Sequence, residues 1–358
     1  MTGDTVGGVF TYVCELTRAL AERGVETTAA LMGRPPTSEQ VRALDRANVA
    51  DVRARPYRLE WMEEPWQDVE RASNWLLDLE AEHEPDVVHL NGYVHAALPW
   101  RAPTLVVGHS CVLSWWEAVH GGIAPPRWDR YRAEVASGLA AADLVAAPTA
   151  AMLRDLKRLY GVRAETLVLP NGRTPPARPF PKQPFVLGAG RLWDEAKNLA
   201  ALDAAAASIA WPVVVAGDEP ELDRRPRHAW LLGRLSDEEL EERFAAASVF
   251  AAPARYEPFG LAALEAGLAG CALVLGDIAS LREVWGDAAL FVDPDDPRAL
   301  AAAVNRLIDD ASLRDEMSRA ALQRARAFTP ERMAAAYLDA YERLATQALD
   351  ADRLEVAS

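Results

Sequence analysis

A chain of 358 residues is long enough for two domains, each with its own core, and too long for one small module. Half of its residues are hydrophobic and a quarter charged, with proline and glycine scattered along the chain, which excludes a disordered or collagen-like polymer. A net charge of −15, with neither half basic, repels phosphate backbones and argues against a nucleic-acid partner.

In chain order, the first six residues, MTGDTV, leave little room before the pair Gly7-Gly8, so the opening strand of a first sheet is expected to be missing or truncated. Val9, Val13, Leu16 and Leu20 recur at helical spacing and Gly24 supplies a left-handed stop, predicting a first helix between them. Short β-branched or apolar runs at 25–31, 86–90, 104–109, 143–148 and 166–170 read as strands. The segment PNGRTPPARPFPKQP at 170–184 holds six prolines, which continue neither a ladder nor a helix and so mark a stiff connector. Beyond it, strand-like runs return at 185–190, 212–217, 229–233, 248–253, 272–276 and 289–293. Ser236 with Glu239 reads as a capping box that opens a helix through Phe244. Helical patterns at 296–309, 312–328 and 331–344 close the chain.

This alternation predicts an α/β protein of two Rossmann-like, doubly wound parallel-sheet domains. Their expected extents are 1–172 and 173–329, followed by a terminal helix and tail over 330–358. Ligands of open α/β sheets bind beyond the carboxyl ends of the strands, so the cleft between the domains is the expected site.

Cys14, Cys111 and Cys271 lie far apart without CxxC spacing, which fits reduced thiols in a cytoplasmic setting better than a disulfide frame or zinc site. No apolar run reaches the roughly 18 residues that a membrane span needs, and the N-terminus has no basic segment leading into an apolar one. Neither a transmembrane segment nor export is expected, although Arg127, Arg130 and Arg132 leave a peripheral membrane contact open.

The sharpest chemical motif is EPFGLAALE, with Glu257 and Glu265 separated by seven residues directly after the strand at 248–253. A helix beginning near Pro258 leaves Glu257 on a loop and Glu265 about two turns inside. Phe259, Gly260 and Leu261 then offer unpaired amides at a positive helix end, a place for phosphate or hydroxyl oxygens. Each carboxylate can accept from a vicinal diol; two solvated acids at a helix start would show the same spacing.

The second motif is GAGRLWDEAKN at 188–198. Arg191 brings a planar fork and Lys197 a mobile charge, together suited to hold a diphosphate and steady it as a leaving group without a metal or other cofactor. Surface pairing with Asp194 and Glu195 is the plainer alternative. A nicotinamide site is discounted, because Trp193 stands where a third glycine would allow close helix–strand packing.

Gly7 and Gly8 let polar ligand groups approach backbone amides, or simply form a turn. His109 ends a predicted strand, where its imidazole can donate to a sugar hydroxyl or a developing charge; a satisfied core histidine is the other reading. His89, His95 and His120 show no metal spacing and read as structural. Tyr93, Trp115 and Trp116, with Trp128, offer stacking faces for an acceptor, with core packing as the alternative.

Together these segments resemble the retaining glycosyltransferases of family 4, which have the two-domain GT-B architecture. The resemblance rests on GGVFTYVCELTRALAERG (7–24), DVVHLNG (86–92), VLPNG (168–172), GRLWDEAKN (190–198) and VVVAGDEP (213–220). Most specific are the blocks LLGRLSDEELEERFAAASVFAAPARYEPFGLAALEAG (231–267) and ALFVDPDDPRALAAAV (289–304).

The resemblance implies transfer of a glycosyl group from a nucleotide sugar to a hydroxyl of a glycan, lipid or small molecule, with retention of configuration. It implies that Arg191 and Lys197 grip the diphosphate, that Glu257 with the amides of Phe259, Gly260 and Leu261 holds the sugar, and that Glu265 holds the ribose. Gly7, Gly8 and His109 would complete the site from the N-terminal domain, and the terminal helix would cross back to that domain. The chain departs from the pattern in its short first strand and in placing Lys197 six residues after Arg191, where many relatives have five. Alternatives are a catalytically silent nucleotide-sugar-binding subunit and another GT-B enzyme such as an epimerase.

Overall fold

The computed structural model describes residues 1–176, 181–217 and 225–356, with side chains to residue 350. The centre of the proline-rich connector and the end of the VVVAGDEP block lie outside the described residues. Two compact units emerge: Met1–Glu117, Gly122–Gly172 and Pro330–Ser358 form the first, Ala118–Gly121 and Arg173–Thr329 the second.

The first unit has strands β1 (Thr2–Asp4), β2 (Thr28–Met32), β3 (Asp51–Ala54), β4 (Val88–Leu90), β5 (Thr104–Val107), β6 (Leu144–Ala147) and β7 (Glu165–Val168). They form two parallel sheets in the orders β1-β2-β3 and β4-β5-β6-β7. The opening strand expected to be missing or truncated is present as three residues, with Thr2, Gly3 and Asp4 paired to Ala30, Leu31 and Met32. Its brevity and its glycine and aspartate hide it from any hydrophobic pattern. β3 escapes notice for a similar reason, since its four residues, DVRA, show no buried alternation.

In β5 and β6 successive side chains enter opposite layers. Leu105, Val107, Leu144 and Ala146 pack with the helix Gly8–Ala21, whereas Val106, Val145 and Ala147 join the layer around Tyr93, Val135 and Leu156. Both faces being covered explains the nearly continuous apolar runs. The terminal helix, Pro330–Val356, belongs to this unit and contributes Met333, Tyr337 and Leu344 to the layer of the first helix.

The second unit has strands β8 (Gln183–Ala189), β9 (Val213–Ala216), β10 (Trp230–Gly233), β11 (Ala247–Ala252), β12 (Ala272–Gly276) and β13 (Leu290–Val292). They make one parallel sheet in the order β10-β9-β8-β11-β12-β13. Phe250, Leu273 and Leu275 point into one core layer, and Val249, Ala251, Ala272 and Val274 into the other. The strand order reverses between β8 and β11, the switch point at which doubly wound sheets open a crevice for ligands.

The predicted capping box is present: Ser236 Oγ accepts from the Glu239 amide, and Glu239 accepts in turn from the Ser236 amide. Among the described residues, no helix is long and apolar enough to cross a membrane.

Candidate active site

β8 and β11 bring two loops to their carboxyl ends. After β8 the chain makes two successive tight turns: the Asp194 amide donates to the Arg191 carbonyl at 3.1 Å, and the Lys197 amide to the Asp194 carbonyl at 2.9 Å. These turns absorb the six-residue interval between the two cations. Gly190 lies beneath the Lys197 stem, and a Cβ on Gly217 would stand only 1.9 Å from the Gly190 carbonyl oxygen, so the ends of β8 and β9 come this close only with glycine. Close packing of the following helix, Leu199–Ala206, does occur, but at Gly188, where a Cβ would meet Leu202 at 2.6 Å. The glycine spacing, with Trp193 in the third place, predicts that such packing fails.

Lys197 Nζ donates to Glu257 Oε2 at 2.5 Å, across sixty residues of sequence. Glu257 Oε1 accepts from the Gly260 amide at 3.0 Å, and its backbone carbonyl accepts from Ser280 Oγ at 2.6 Å. These bonds correct two expectations. The helix runs over Leu261–Leu268 and does not begin near Pro258, because Gly260 adopts a left-handed conformation (φ 93°) and Glu257 takes its amide. Glu265 is therefore the fifth helical residue, little more than one turn inside, and the Gly260 amide is not an unpaired donor. Phe259 is a core residue against Phe328.

Arg191 donates to Asp194 Oδ2 at 2.7 Å and stacks over Trp193 at 5.4 Å. Pairing with Asp194, the plainer alternative, thus holds for Arg191, though the carboxylate it meets is not at the surface, whereas Lys197 turns to Glu257. Asp194 is buried, and its other oxygen accepts from the Ala196 amide. Glu265 Oε1 accepts from Arg173 Nε at 2.7 Å. A recess at these strand ends is lined by Gly190, Lys197, Glu257 and Gly260 among others. The structure therefore gathers Arg191, Lys197, Glu257, Gly260 and Leu261 at one strand switch.

Sequence reasoning missed Asn198. It adopts a left-handed conformation (φ 56°), is buried, and donates to the carbonyls of Pro253 and Pro294 at 3.0 and 2.6 Å, tying the Lys197 turn to the ends of two other strands. Asparagine before a helix was the available signal, since it tolerates that conformation. Arg173 gave no local signal at all.

The first unit places Gly7 and Gly8 at the exposed start of the first helix, with Gly7 at φ 75°. His109 follows β5, and its Nε2 lies 2.8 Å from Asn91 Oδ1. Burial lowers its pKa to about 4, so it is neutral at pH 7. Tyr93 does not offer a free stacking face: it is 3% exposed, its hydroxyl donates to the Ser110 carbonyl, and it packs in the core. The sequence could not separate core from surface aromatics here. Trp116 packs against the same core under the Arg127 guanidinium, and Trp115 is half-buried beside it. Among the described residues, no group of three His, Cys, Asp or Glu is arranged to hold a metal ion.

Helix-covered parallel sheets in both units, three sheets in all, are the architecture of the GT-B class. "Glycosyltransferase Family 4" matches residues 6–175, and "Glycosyl transferases group 1" matches residues 174–324. A D-inositol 3-phosphate glycosyltransferase of Kineococcus radiotolerans is 30% identical over 96% of this chain and 91% of its own. The chain therefore belongs to the family 4, group 1 glycosyltransferases. O-antigen chain mannosyltransferase B of Escherichia coli is 32% identical over 165 residues, a match that spans 46% of this chain and 38% of that protein.

Among solved structures, sucrose-phosphate synthase of Thermosynechococcus elongatus superimposes with a TM-score of 0.77 at 21% identity, covering 96% of this chain and 95% of that one. Anabaena HepE in complex with UDP-glucose gives 0.71 at 17%, with coverage of 96% and 99%. These two likenesses show the fold.

Proposed function

We propose that this protein transfers a glycosyl group from a nucleoside-diphosphate sugar to an acceptor hydroxyl, with retention of configuration and without a metal ion. The observation that carries this reading is the meeting of Lys197 and Glu257 at the β8–β11 switch, beside Arg191 and the amides opening the helix at Leu261. Lys197 and Arg191 are then the cations that receive the diphosphate, and each is held beforehand by a carboxylate, Glu257 or Asp194. Holding them lowers the reorganisation needed when charge develops on the leaving group.

In the reaction the bond from the anomeric carbon to the β-phosphate oxygen breaks and the bond to the acceptor oxygen forms. The acceptor proton passes to the departing phosphate, and a nucleoside diphosphate leaves. Glu257, with the Leu261 amide, contacts the sugar, and Glu265 the ribose once Arg173 yields or shares it. The first unit contributes His109 and the backbone of Gly7 and Gly8, and Trp115 and Trp116 border the acceptor. The acceptor is a glycan, lipid or small-molecule hydroxyl, and the setting is the cytoplasm.

Thermal-shift titration with UDP-glucose, GDP-mannose, ADP-glucose and the free diphosphates tests this directly. Ligand at 100 Kd should add about 2.7 kcal/mol of stability. No response to any of the panel would remove the donor assignment. Binding without transfer or hydrolysis would favour a silent binding subunit.

A further inference from the structure

The strongest remaining feature is a buried hydrogen-bonded cluster of the first unit, at the carboxyl ends of β4 and β5. Asn91 follows β4, and its amide Nδ2 donates to the carbonyl of Thr2 in β1 at 2.7 Å. A carbonyl only accepts, so this contact fixes which way the amide points. Asn91 Oδ1 then faces the Nε2 atoms of both His109, at 2.8 Å, and His89, at 3.1 Å. An amide oxygen only accepts, so both imidazoles carry their proton on Nε2. The His89 contacts agree: its Nδ1 is left as an acceptor and lies 2.6 Å from the hydroxyl of Tyr341, on the terminal helix. Tyr12 and Tyr337 wall the cluster, Tyr12 edge-on to His109 at 4.5 Å and Tyr337 stacked on His89 at 5.4 Å.

The consequence falls on the other nitrogen of His109. With Nε2–H committed to Asn91, its Nδ1 is unprotonated, and among the described residues no hydrogen bond to it is found. His109 is only partly buried, whereas His89 is fully buried. We propose that Asn91 is a positioning residue that fixes the His109 tautomer, so that His109 meets its ligand as an acceptor and selects a hydroxyl over an anionic oxygen. This reverses the donor role that the sequence suggests for His109. It rests on the reading of the protein as a nucleotide-sugar enzyme in one respect only, that the hydroxyl belongs to the sugar.

Long-range ¹H–¹⁵N spectra of the ligand-free, histidine-labelled protein read the tautomer without any ligand. His109 should appear in the Nε2–H form; an Nδ1–H form in the wild type overturns the proposal at once. In Asn91→Leu the single tautomer should give way to a mixture. The second readout compares the affinity of that variant for UDP-glucose, GDP-mannose and ADP-glucose with its affinity for UDP, GDP and ADP. The bound sugar nucleotide should weaken about tenfold, the effect of one hydrogen bond, while the matching diphosphate holds its affinity. An unchanged His109 tautomer, or equal losses for sugar nucleotide and diphosphate, defeats the positioning role. Should Asn91→Leu fail to fold, the wild-type spectrum still decides the tautomer. Failure of the wild type to bind any of the six compounds would instead sink the nucleotide-sugar reading and leave the tautomer result standing.

Discussion

The two units meet the same topological problem with opposite electrostatics. At the β8–β11 switch of the second unit, the side chains are ionic: Lys197 with Glu257, Arg191 with Asp194 and, one turn into the helix, Arg173 with Glu265. Where β1 and β4 of the first unit are joined through Asn91, the side chains are neutral: His89, His109, Tyr12, Tyr337 and Tyr341 around one amide. Charged pairs at partly open positions can exchange partners with an incoming anion, because solvent screens what is lost. A buried neutral cluster cannot exchange in this way, and its value is directional, a fixed pattern of donors and acceptors.

The largest expected effect lies on the ionic side. Lys197→Ala and Arg191→Ala should each lower kcat by about 10²–10³ with the sugar nucleotide that the wild type accepts, comparable to losing one preorganised donor to developing charge. Steady-state kinetics decides it, and unchanged turnover in both variants would erase the distinction between the units. Glu257→Ala should also cripple transfer, since it frees Lys197 and strips the Gly260 amide of its acceptor.

Glu265→Ala should act mainly on KM, with a modest loss in kcat. Equal nucleotide affinity for wild type and variant by calorimetry would show that Glu265 serves Arg173 alone.

On the neutral side the test is acid. Burial lowers His109 and His95 to about 4 and His89 well below its usual range, so the unfolded chain binds protons that the native state refuses. Their contribution is complete above pH 6.5, the ordinary histidine value, and is lost as pH falls toward 4. Glu60 works the other way. Burial raises it to about 7 although the amides of Tyr93 and Val94 favour its charge, so its contribution is present below 4.5 and lost as pH rises through 7. Denaturant melts from pH 4 to 7 should therefore show stability rising with pH, and more steeply in Glu60→Gln. A flat profile in both proteins would mean that the histidines titrate normally.

The smallest effect, a control remote from either cluster, is loss of the Ser236 cap: Ser236→Ala should cost about 1 kcal/mol in chemical melts and leave kcat unchanged.

The alternation of apolar runs and helical spacings was legible because covered parallel strands must be apolar on both faces, and the Ser236–Glu239 box because its partners are three residues apart. β1 and β3 were not, being too short to carry a period. The basic pair and the two glutamates were recognisable as residue types, but their partners were not: Lys197 finds Glu257 sixty residues away, and Arg173 finds Glu265 ninety-two away. Asn91 illustrates the limit most clearly, since Thr2, which orients it, lies eighty-nine residues earlier.

The sequence by itself determined the parallel-sheet α/β character, the family and the residue types of the basic and acidic motif, because those depend on local periodicity and short spacing. Tertiary structure alone decided which carboxylate holds which cation, where the helix after Glu257 begins and which nitrogen of His109 carries the proton. Each of those depends on a hydrogen bond or ion pair whose direction is set only when the loops settle at the strand ends, or on an amide oriented by a strand far away in the chain.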